Sequence, residues 1–193
     1  GHALNSFYVY PTDGLLQEDD FTTNADGDLV SKDGVVIFDG QKPGDIHYVD
    51  QNGDGRISTE DRVIRGDKQP KLNYFANLTL NYRKWNLEVL FQGVQGVDAY
   101  YGEPYSFGLN MSGDGQTPMA FQTDYWTPEN TDARYPRMAP NSSYGNNHHT
   151  SDFWHFDASY CRVKYIQLGY NFDQMGLKKI GISNIRVYAN VQN

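Results

Sequence analysis

An acidic stretch with two glycines, residues 50–61, is the part of the sequence best equipped for chemistry. Side-chain oxygens occur at its positions 1, 3, 5 and 9, a carboxylate occurs at position 12, and Gly55 occupies position 6. This spacing matches the calcium loop of an EF-hand, in which alternate residues supply oxygen ligands and a glycine lets the chain turn sharply. The predicted calcium ligands are Asp50, Asn52, Asp54, Arg56 through its backbone carbonyl, Ser58 and Asp61.

Two features distinguish this stretch from an EF-hand. Position 12 is Asp61 instead of glutamate, so its side chain reaches less far, and the adjacent Glu60 is a candidate substitute. Neither flank has the periodicity of a helix. We therefore predict a structural Ca²⁺ loop in a β-rich setting, with Ile57 pointing away from the ion into an apolar neighbour. The alternative is an acidic, glycine-rich turn that binds no metal.

Aromatic side chains are concentrated in a long segment rich in Gly, Pro, Asn and Ser, residues 93–158. Long loops of this kind are usually functional. Aromatic rings can stack on sugars or contact a partner protein, and they can also pack the loop against itself. The candidates for ligand or partner contact are Tyr100, Tyr101, Tyr105, Trp126 and Trp154.

The sequence contains no constellation typical of an enzyme. His148 and His149 are adjacent instead of four residues apart, and no pair of carboxylates lies at strand ends as glycoside hydrolases require. We therefore predict that the chain is not an enzyme.

Composition excludes several other classes. The 193 residues carry a net charge of -8, which makes nucleic acid an unsuitable partner. The single cysteine, Cys161, excludes an internal disulfide framework. The start has no signal-peptide pattern, and no apolar run is long enough for a transmembrane helix. Contact with membrane lipid therefore requires β-strands.

Strand patterns dominate the second half of the chain. Residues 72–92 alternate apolar and polar side chains on both sides of Arg83 and Lys84, which predicts a hairpin with a two-residue turn. Residues 159–193 predict two further strands, with apolar and polar side chains alternating over residues 165–172 and 185–192. By contrast, residues 1–71 are rich in turn signals, so we expect an irregular surface region held by turns and metal more than by a core. A small hairpin of residues 29–30 with residues 35–38 is the exception.

Strands with one apolar face, joined by alternately short and long connections, are typical of a transmembrane β-barrel. A soluble β-sandwich also has strands with one apolar face. Periodicity alone leaves both open.

Several sequence blocks resemble the SusC/RagA family of TonB-dependent outer-membrane transporters. They occur in the family's order and cover most of residues 7–193. The blocks are Gly44–Ile57 with Asp61, Arg62, Gly66 and Pro70, Asn77–Tyr82, Leu90–Gly93, Trp126–Asn130, Tyr135–Arg137, Ala158–Lys164, Arg186–Tyr188 and Gln192–Asn193. Cys161 stands where the family usually has an aliphatic residue.

The resemblance implies an all-β fold of antiparallel strands within a 22-stranded barrel that encloses an N-terminal plug. In a transmembrane barrel the long loops face outward, which would place residues 1–71 and 93–158 outside the cell. The resemblance implies that the plug domain is absent from this chain. It also implies import of glycans or peptides across the bacterial outer membrane, with a SusD-like surface lipoprotein and the TonB complex as partners. The alternative function is a soluble, calcium-stabilised carbohydrate-binding β module.

Overall fold

The chain folds into two compact units. The computed structural model describes residues 4–102, 119–138, 146–173, 181–182 and 184–193. Unit 1 comprises Gly1–Lys68 and Ala99–Phe156, and unit 2 comprises Gln69–Asp98 and Asp157–Asn193. The described residues form antiparallel strands and short 3-10 turns, which confirms the predicted all-β class. No helix within those ranges is long and apolar enough to cross a membrane.

The strands are numbered in chain order. They are β1 (Ser6–Val9), β2 (Thr12–Leu15), β3 (Phe21–Thr23), β4 (Leu29–Ser31), β5 (Ile46–Tyr48), β6 (Val63–Asp67), β7 (Leu72–Tyr82), β8 (Trp85–Gln95), β9 (Asp98–Tyr100), β10 (His155–Asp157), β11 (Tyr160–Asp173) and β12 (Asn184–Gln192). The 3-10 turns are Glu18–Asp20, Thr59–Asp61, Ala120–Gln122 and Asp152–Trp154.

Unit 1 has an aromatic core that its sequence did not predict. Three short antiparallel pairs, β1 with β6, β2 with β5 and β3 with β4, surround a buried cluster. Its buried members are Tyr10, Ile46, Tyr48, Ile57 and Trp154. The expectation that residues 1–71 are held by turns and metal more than by a core is therefore wrong. The predicted hairpin of residues 29–30 with 35–38 is also wrong, because β4 pairs with β3.

Unit 2 is a four-stranded antiparallel sheet in the order β12-β11-β8-β7. The predicted hairpin is confirmed: Tyr82 pairs with Trp85 across the two-residue turn, and the pairing continues to Leu72 and Gln95. Arg83 in this turn has a φ of 54°, a left-handed conformation that tight hairpin turns commonly require. β11 is longer than predicted and contains a bulge between Val163 and Tyr165.

The register of unit 2 gives its sheet one apolar and one polar face. In one row of directly opposed residues the side chains are apolar: Leu80, Leu87, Leu168 and Ala189. The adjacent row faces the other way and is polar: Thr79, Glu88, Gln167 and Asn190. Many apolar side chains of this sheet are exposed, including Leu80 at 51 %, Leu168 at 46 % and Val191 at 72 %. The sequence-predicted alternation is thus present as two chemically distinct faces.

Candidate functional site

The predicted calcium loop lies in unit 1; it follows β5 and ends with the Thr59–Asp61 turn. Asp50 organises its first half, because its Oδ1 accepts hydrogen bonds from the backbone N–H of Gly53 at 2.7 Å and of Asp54 at 3.3 Å. Its Oδ2 accepts one from the N–H of Gly55 at 2.8 Å. Gly53 and Gly55 have φ values of 74° and 84°, which favour glycine. These three hydrogen bonds fold the first half of the loop around the Asp50 carboxylate.

Asn52 and Asp54 continue the same pattern. Asn52 Oδ1 accepts from the N–H of Asp54 at 2.9 Å. Both oxygens of the Asp54 carboxylate accept from Arg56: Oδ1 from the backbone N–H at 3.1 Å and Oδ2 from the side-chain Nε–H at 3.1 Å. The Arg56 side chain is 78 % exposed, so this ion pair contributes little stability.

Asp61 closes the loop from its other end. It is fully buried, and its Oδ1 accepts from the N–H groups of Gln51 at 2.9 Å and Asn52 at 3.2 Å, while its Oδ2 accepts from the N–H of Ser58 at 2.6 Å. Burial raises the pKa of this carboxyl, but the hydrogen bonds from these backbone groups outweigh burial and lower the pKa below its usual value. Asp61 is therefore held as a carboxylate.

The loop is anchored in the core of unit 1 at two points. Ile57 is 9 % exposed and belongs to the cluster with Tyr10, Ile46, Tyr48 and Trp154, so it packs against apolar neighbours as predicted. Immediately after the loop, the Arg62 guanidinium lies 4.7 Å from the ring centre of Tyr10. The shape of the loop is thus coupled to the packing of the unit.

The donor set has the oxygen chemistry that calcium prefers. The carboxylates of Asp50 and Asp54, the amide oxygen of Asn52, the hydroxyl of Ser58 and the carbonyl of Arg56 are all neutral or anionic oxygens. The Asp61 carboxylate accepts hydrogen bonds from three backbone N–H groups and from the Ser58 side chain, so a cation would have to take the place of one of these donors. Within the described ranges, no three His, Cys, Asp or Glu side chains are grouped as a metal site. Amide, hydroxyl and carbonyl oxygens would therefore have to complete the coordination.

A second polar cluster in unit 1 was not predicted from the sequence. Asp45 is fully buried, and its Oδ1 lies 2.7 Å from Arg137 Nε, while Asn147 Nδ2 donates to Oδ1 at 2.9 Å. Asn147 Oδ1 in turn accepts from the N–H of Ile46 at 2.9 Å. The partners are about a hundred residues apart in sequence, so no local signal could have revealed them.

Two of the predicted contact aromatics, Trp126 and Trp154, are buried inside unit 1. Trp126 is 6 % exposed; its Nε1–H donates to Gln17 Oε1 at 3.1 Å, and its ring lies over Gly44, where an added β-carbon would lie 2.4 Å from it. Trp154 is 2 % exposed and donates to the carbonyl of Asn147 at 2.8 Å. Neither indole has an open face for a sugar or a partner, because both pack inside unit 1.

The remaining contact candidates differ in exposure. Tyr100 is half-buried and packs against the core cluster, and burial raises the pKa of its hydroxyl. Tyr101 is 39 % exposed, and its ring centre lies 4.4 Å from that of Phe156, which is 37 % exposed. Tyr105 lies outside the described residues. Tyr101, with Phe156 beside it, is thus the candidate best placed to contact another molecule.

The adjacent histidines pack with aromatic rings. His149 stacks on Phe38 with ring centres 4.3 Å apart, and His148 stacks on Trp154 at 6.1 Å. Burial, together with the neighbouring His149, lowers the pKa of His148 to about 4. Burial and the charge of Arg62 lower the pKa of His149. Both side chains are therefore neutral at pH 7 and belong to the packing of unit 1.

Three sequence relatives align with most or all of the chain. TonB-dependent receptor P3 of Formosa agariphila is 30% identical over 195 residues, which cover 100% of this chain and 18% of the relative. TonB-dependent receptor P26 of the same organism is 34% identical over 164 residues, covering 83% and 16%. TonB-dependent receptor SusC of Bacteroides thetaiotaomicron is 28% identical over 196 residues, covering 100% and 16%. The chain thus spans less than a fifth of the length of these relatives.

Solved structures show the same fold. The RagAB peptide importer in its closed-closed state matches with a TM-score of 0.63 at 17% identity, covering 97% of this chain and 19% of that chain. Another structure of the RagAB peptide transporter matches with a TM-score of 0.60 at 16% identity, with the same coverage. No protein-family model matches. The relatives are receptors by name, in agreement with the prediction that the chain is not an enzyme. Together, these matches identify the chain as a sequence of the SusC/RagA type among TonB-dependent receptors.

Proposed function

We propose that the chain is part of an outer-membrane, TonB-dependent importer of glycans or peptides that works with a SusD-like surface lipoprotein. The observation that supports this most directly is the apolar face of unit 2. Leu80, Leu168 and Val191 on that face are about half or more exposed. In a β-sandwich a second sheet would bury such side chains, whereas in a barrel wall they face lipid.

The dimensions of the sheet also suit a membrane wall. β7 and β8 each contain 11 residues. At about 3.4 Å per residue and a tilt of about 45°, such a strand spans roughly 26 Å, close to the apolar band of about 25 Å in outer-membrane barrels. Trp85 and Tyr170 lie opposite each other beside the short turn with ring centres 4.8 Å apart, where an aromatic girdle is expected.

The first test is to fractionate cells that make the full-length receptor containing this chain. We expect the receptor in the outer membrane and, after mild detergent extraction, in a complex with a surface lipoprotein. Recovery as a free soluble protein would contradict the importer and favour the calcium-stabilised carbohydrate-binding module. Uptake assays with labelled oligosaccharides and labelled peptides in a strain lacking the receptor would then separate the two substrate classes.

We propose that residues 50–61 bind Ca²⁺ and that the ion has a structural role. Asp54 is the most informative ligand to replace. In the described structure its carboxylate accepts hydrogen bonds only from Arg56, whose side chain is largely exposed and would be displaced by a cation. Extracellular calcium sites typically have dissociation constants of about 10⁻⁴ to 10⁻³ M.

The Asp54→Ala variant tests this proposal. In the detergent-purified receptor, millimolar Ca²⁺ should slow hydrogen exchange across residues 50–61, and Asp54→Ala should lose this protection. Asp26→Ala is the control, since Asp26 lies in an exposed turn outside the loop and should keep the effect. Calcium-dependent protection that is equal in Asp54→Ala and in the unsubstituted receptor would refute the assignment.

A further inference from the structure

An arginine on the polar face of unit 2 lies across a neighbouring strand. Arg186 belongs to β12, and its Nη2 donates a hydrogen bond of 2.8 Å to Oδ1 of Asn86, which belongs to β8. The strand between them, β11, carries Gly169 at this point. A β-carbon at Gly169 would lie 3.2 Å from Nε and 3.3 Å from Nη2 of Arg186. The guanidinium can rest there because residue 169 has no side chain.

The arginine is held by a short chain of hydrogen bonds. Asn86 donates from Nδ2 to Oδ1 of Asn81 at 2.7 Å, which orients its own Oδ1 toward Arg186. The Arg186 guanidinium carbon also lies 6.0 Å from the ring centre of Tyr188. The guanidinium is therefore positioned before any ligand arrives, and preorganisation lowers the cost of binding.

The charge of Arg186 has no acidic partner in the described part of the chain. The ion pairs there involve Arg56, Arg65 and Arg137, and none involves Arg186. Glu88 on the same face accepts a hydrogen bond from Asn77 at 3.3 Å. An arginine has five N–H donors in a planar fork that matches the two oxygens of a carboxylate. The hydrogen bond from Arg186 to Asn86 uses one of these donors, and its acceptor is a neutral amide.

We propose that Arg186 anchors a carboxylate, from an Asp or Glu of the same receptor, in a segment that lies against the polar face of the sheet. The inference rests on the proposed function: if the apolar face meets lipid, the polar face is turned inward. The sequence relatives are more than five times as long as this chain, so such receptors contain ample chain to fill that side. Arg186 is exposed in this structure. A segment that covers its guanidinium would have to supply an anionic partner, because a buried unpaired charge is costly.

The experiment uses the full-length receptor, isolated from the outer-membrane fraction so that failure of the proposed function is recognised separately. Arg186→Lys places an amine where the guanidinium lies, and a carbodiimide then joins the amine to a carboxylate only if the two are in contact. Mass spectrometry of the digested receptor identifies the joined peptides. The matched control is Asn190→Lys, which places an amine on the same strand and face, two same-face positions further along β12.

We expect a cross-link from position 186 to an Asp or Glu elsewhere in the receptor, about tenfold more abundant than any from position 190, as a charge-assisted hydrogen bond implies. Adding Gly169→Ala should reduce it, because the new methyl group displaces the side chain of residue 186. Equal cross-linking at both positions would overturn the proposal. So would a cross-link exclusively to Glu88 or to a separate polypeptide.

A second measurement keeps the native arginine, in case Arg186→Lys does not reach the membrane. Phenylglyoxal modifies accessible guanidinium groups, and a carboxylate paired with the guanidinium slows the reaction. Arg186 should react about tenfold more slowly than Arg83, which lies in the two-residue turn of the β7–β8 hairpin. Equal rates of modification would contradict the ion pair.

Discussion

Asp61 illustrates how one carboxylate closes a loop that contains little regular structure. Its two oxygens accept N–H groups from both ends of the loop, Gln51 and Asn52 on one side and Ser58 on the other. The same residue is the last of the predicted calcium ligands. A single side chain therefore links the two ends of the loop and its proposed metal. Ile57 within the loop and Arg62 directly after Asp61 then join the loop to the core of unit 1.

Replacing Asp61 with asparagine should loosen this loop. The amide retains one acceptor oxygen, so at least one of the three backbone N–H groups loses its partner at a cost of about 1–3 kcal/mol. Because a loss of about 1.4 kcal/mol changes an equilibrium tenfold, hydrogen exchange at residues 51, 52 and 58 should become about tenfold faster or more. Asp13→Asn is the control, because Asp13 is exposed in β2 and lies outside the loop. Unchanged exchange in Asp61→Asn would show that these bonds do not hold the loop closed.

His148 predicts a pH dependence of unit 1. Its pKa is lowered to about 4, first by burial and then by His149, so it stays neutral in the folded state. In the unfolded chain a histidine binds a proton below about pH 6.5. Stability should therefore fall as the pH decreases from about 6.5 towards 4, by up to about 1 kcal/mol per pH unit.

The measurement is the free energy of opening near Asn147 and Trp154, obtained from hydrogen exchange after correction for intrinsic rates. His148→Gln should flatten the dependence, although His149, whose pKa is also lowered, will retain part of it. His47→Gln, in β5, is the control. A slope of the same size in His148→Gln would mean that other groups cause the loss of stability.

At the scale of elements, the strands of unit 2 were predictable because each has one apolar face. The alternation in residues 72–92 gave the hairpin and its turn. The beginning of β11 was missed because the bulge after Val163 adds one residue, so that Val163 and Ile166 point to the same face. A bulge interrupts the period of two, and the sequence then no longer looks like one continuous strand.

Gly93 in β8 lies where two strands and a tyrosine side chain come too close together for any residue larger than glycine. A β-carbon there would lie 2.4 Å from the ring and hydroxyl oxygen of Tyr74 and 2.5 Å from the backbone carbonyl of Tyr160. The tyrosine could rotate away, but the carbonyl belongs to the neighbouring strand and cannot. We expect Gly93→Ala to destabilise the sheet by about 1–3 kcal/mol, as overpacking does.

The readout is the denaturation midpoint of the purified receptor. Gly102→Ala is the matched control, since the nearest atom to an added β-carbon there is 3.9 Å away. Tyr74→Phe combined with Gly93→Ala should recover little of the loss, because the contact with the Tyr160 carbonyl remains. Full recovery in the double variant would place the strain on the tyrosine hydroxyl instead of the backbone.

Unit 1 shows the limit of local patterns. Its strands have three to five residues, too few for alternation to be recognised, and its core joins residues from both parts of the chain. The Asp45–Arg137–Asn147 cluster likewise joins residues about a hundred positions apart. By contrast, the loop of residues 50–61 was predictable because its hydrogen bonds connect residues within the same twelve positions. Burial of Trp126 and Trp154 follows from distant contacts that the sequence does not display.

At the scale of the whole molecule, the open edges of the sheet in unit 2 restrict the environments in which it can be stable. β7 and β12 are the edge strands of the sheet and leave unpaired backbone groups within the described residues. In lipid such groups cost several kcal/mol each unless further strands pair with them. Under the proposed function, further strands of the receptor pair with these edges, and the apolar face of the sheet is turned outward to lipid.

Leu168 and Gln167 give a direct test of this orientation, because they are consecutive residues of β11 on opposite faces. Leu168 lies in the apolar row with Leu87 and Ala189, and Gln167 lies in the polar row with Glu88 and Asn190. An arginine on the lipid face near the bilayer midplane costs about 2–4 kcal/mol, whereas one in the lumen costs little. Leu168→Arg should therefore reduce the amount of folded receptor in the outer membrane severalfold, and Gln167→Arg, next to Glu88, should leave that amount nearly unchanged.

If the two variants accumulate equally, neither face contacts lipid. A larger loss for Gln167→Arg would reverse the orientation, and the inward position inferred for Arg186 would then be wrong as well.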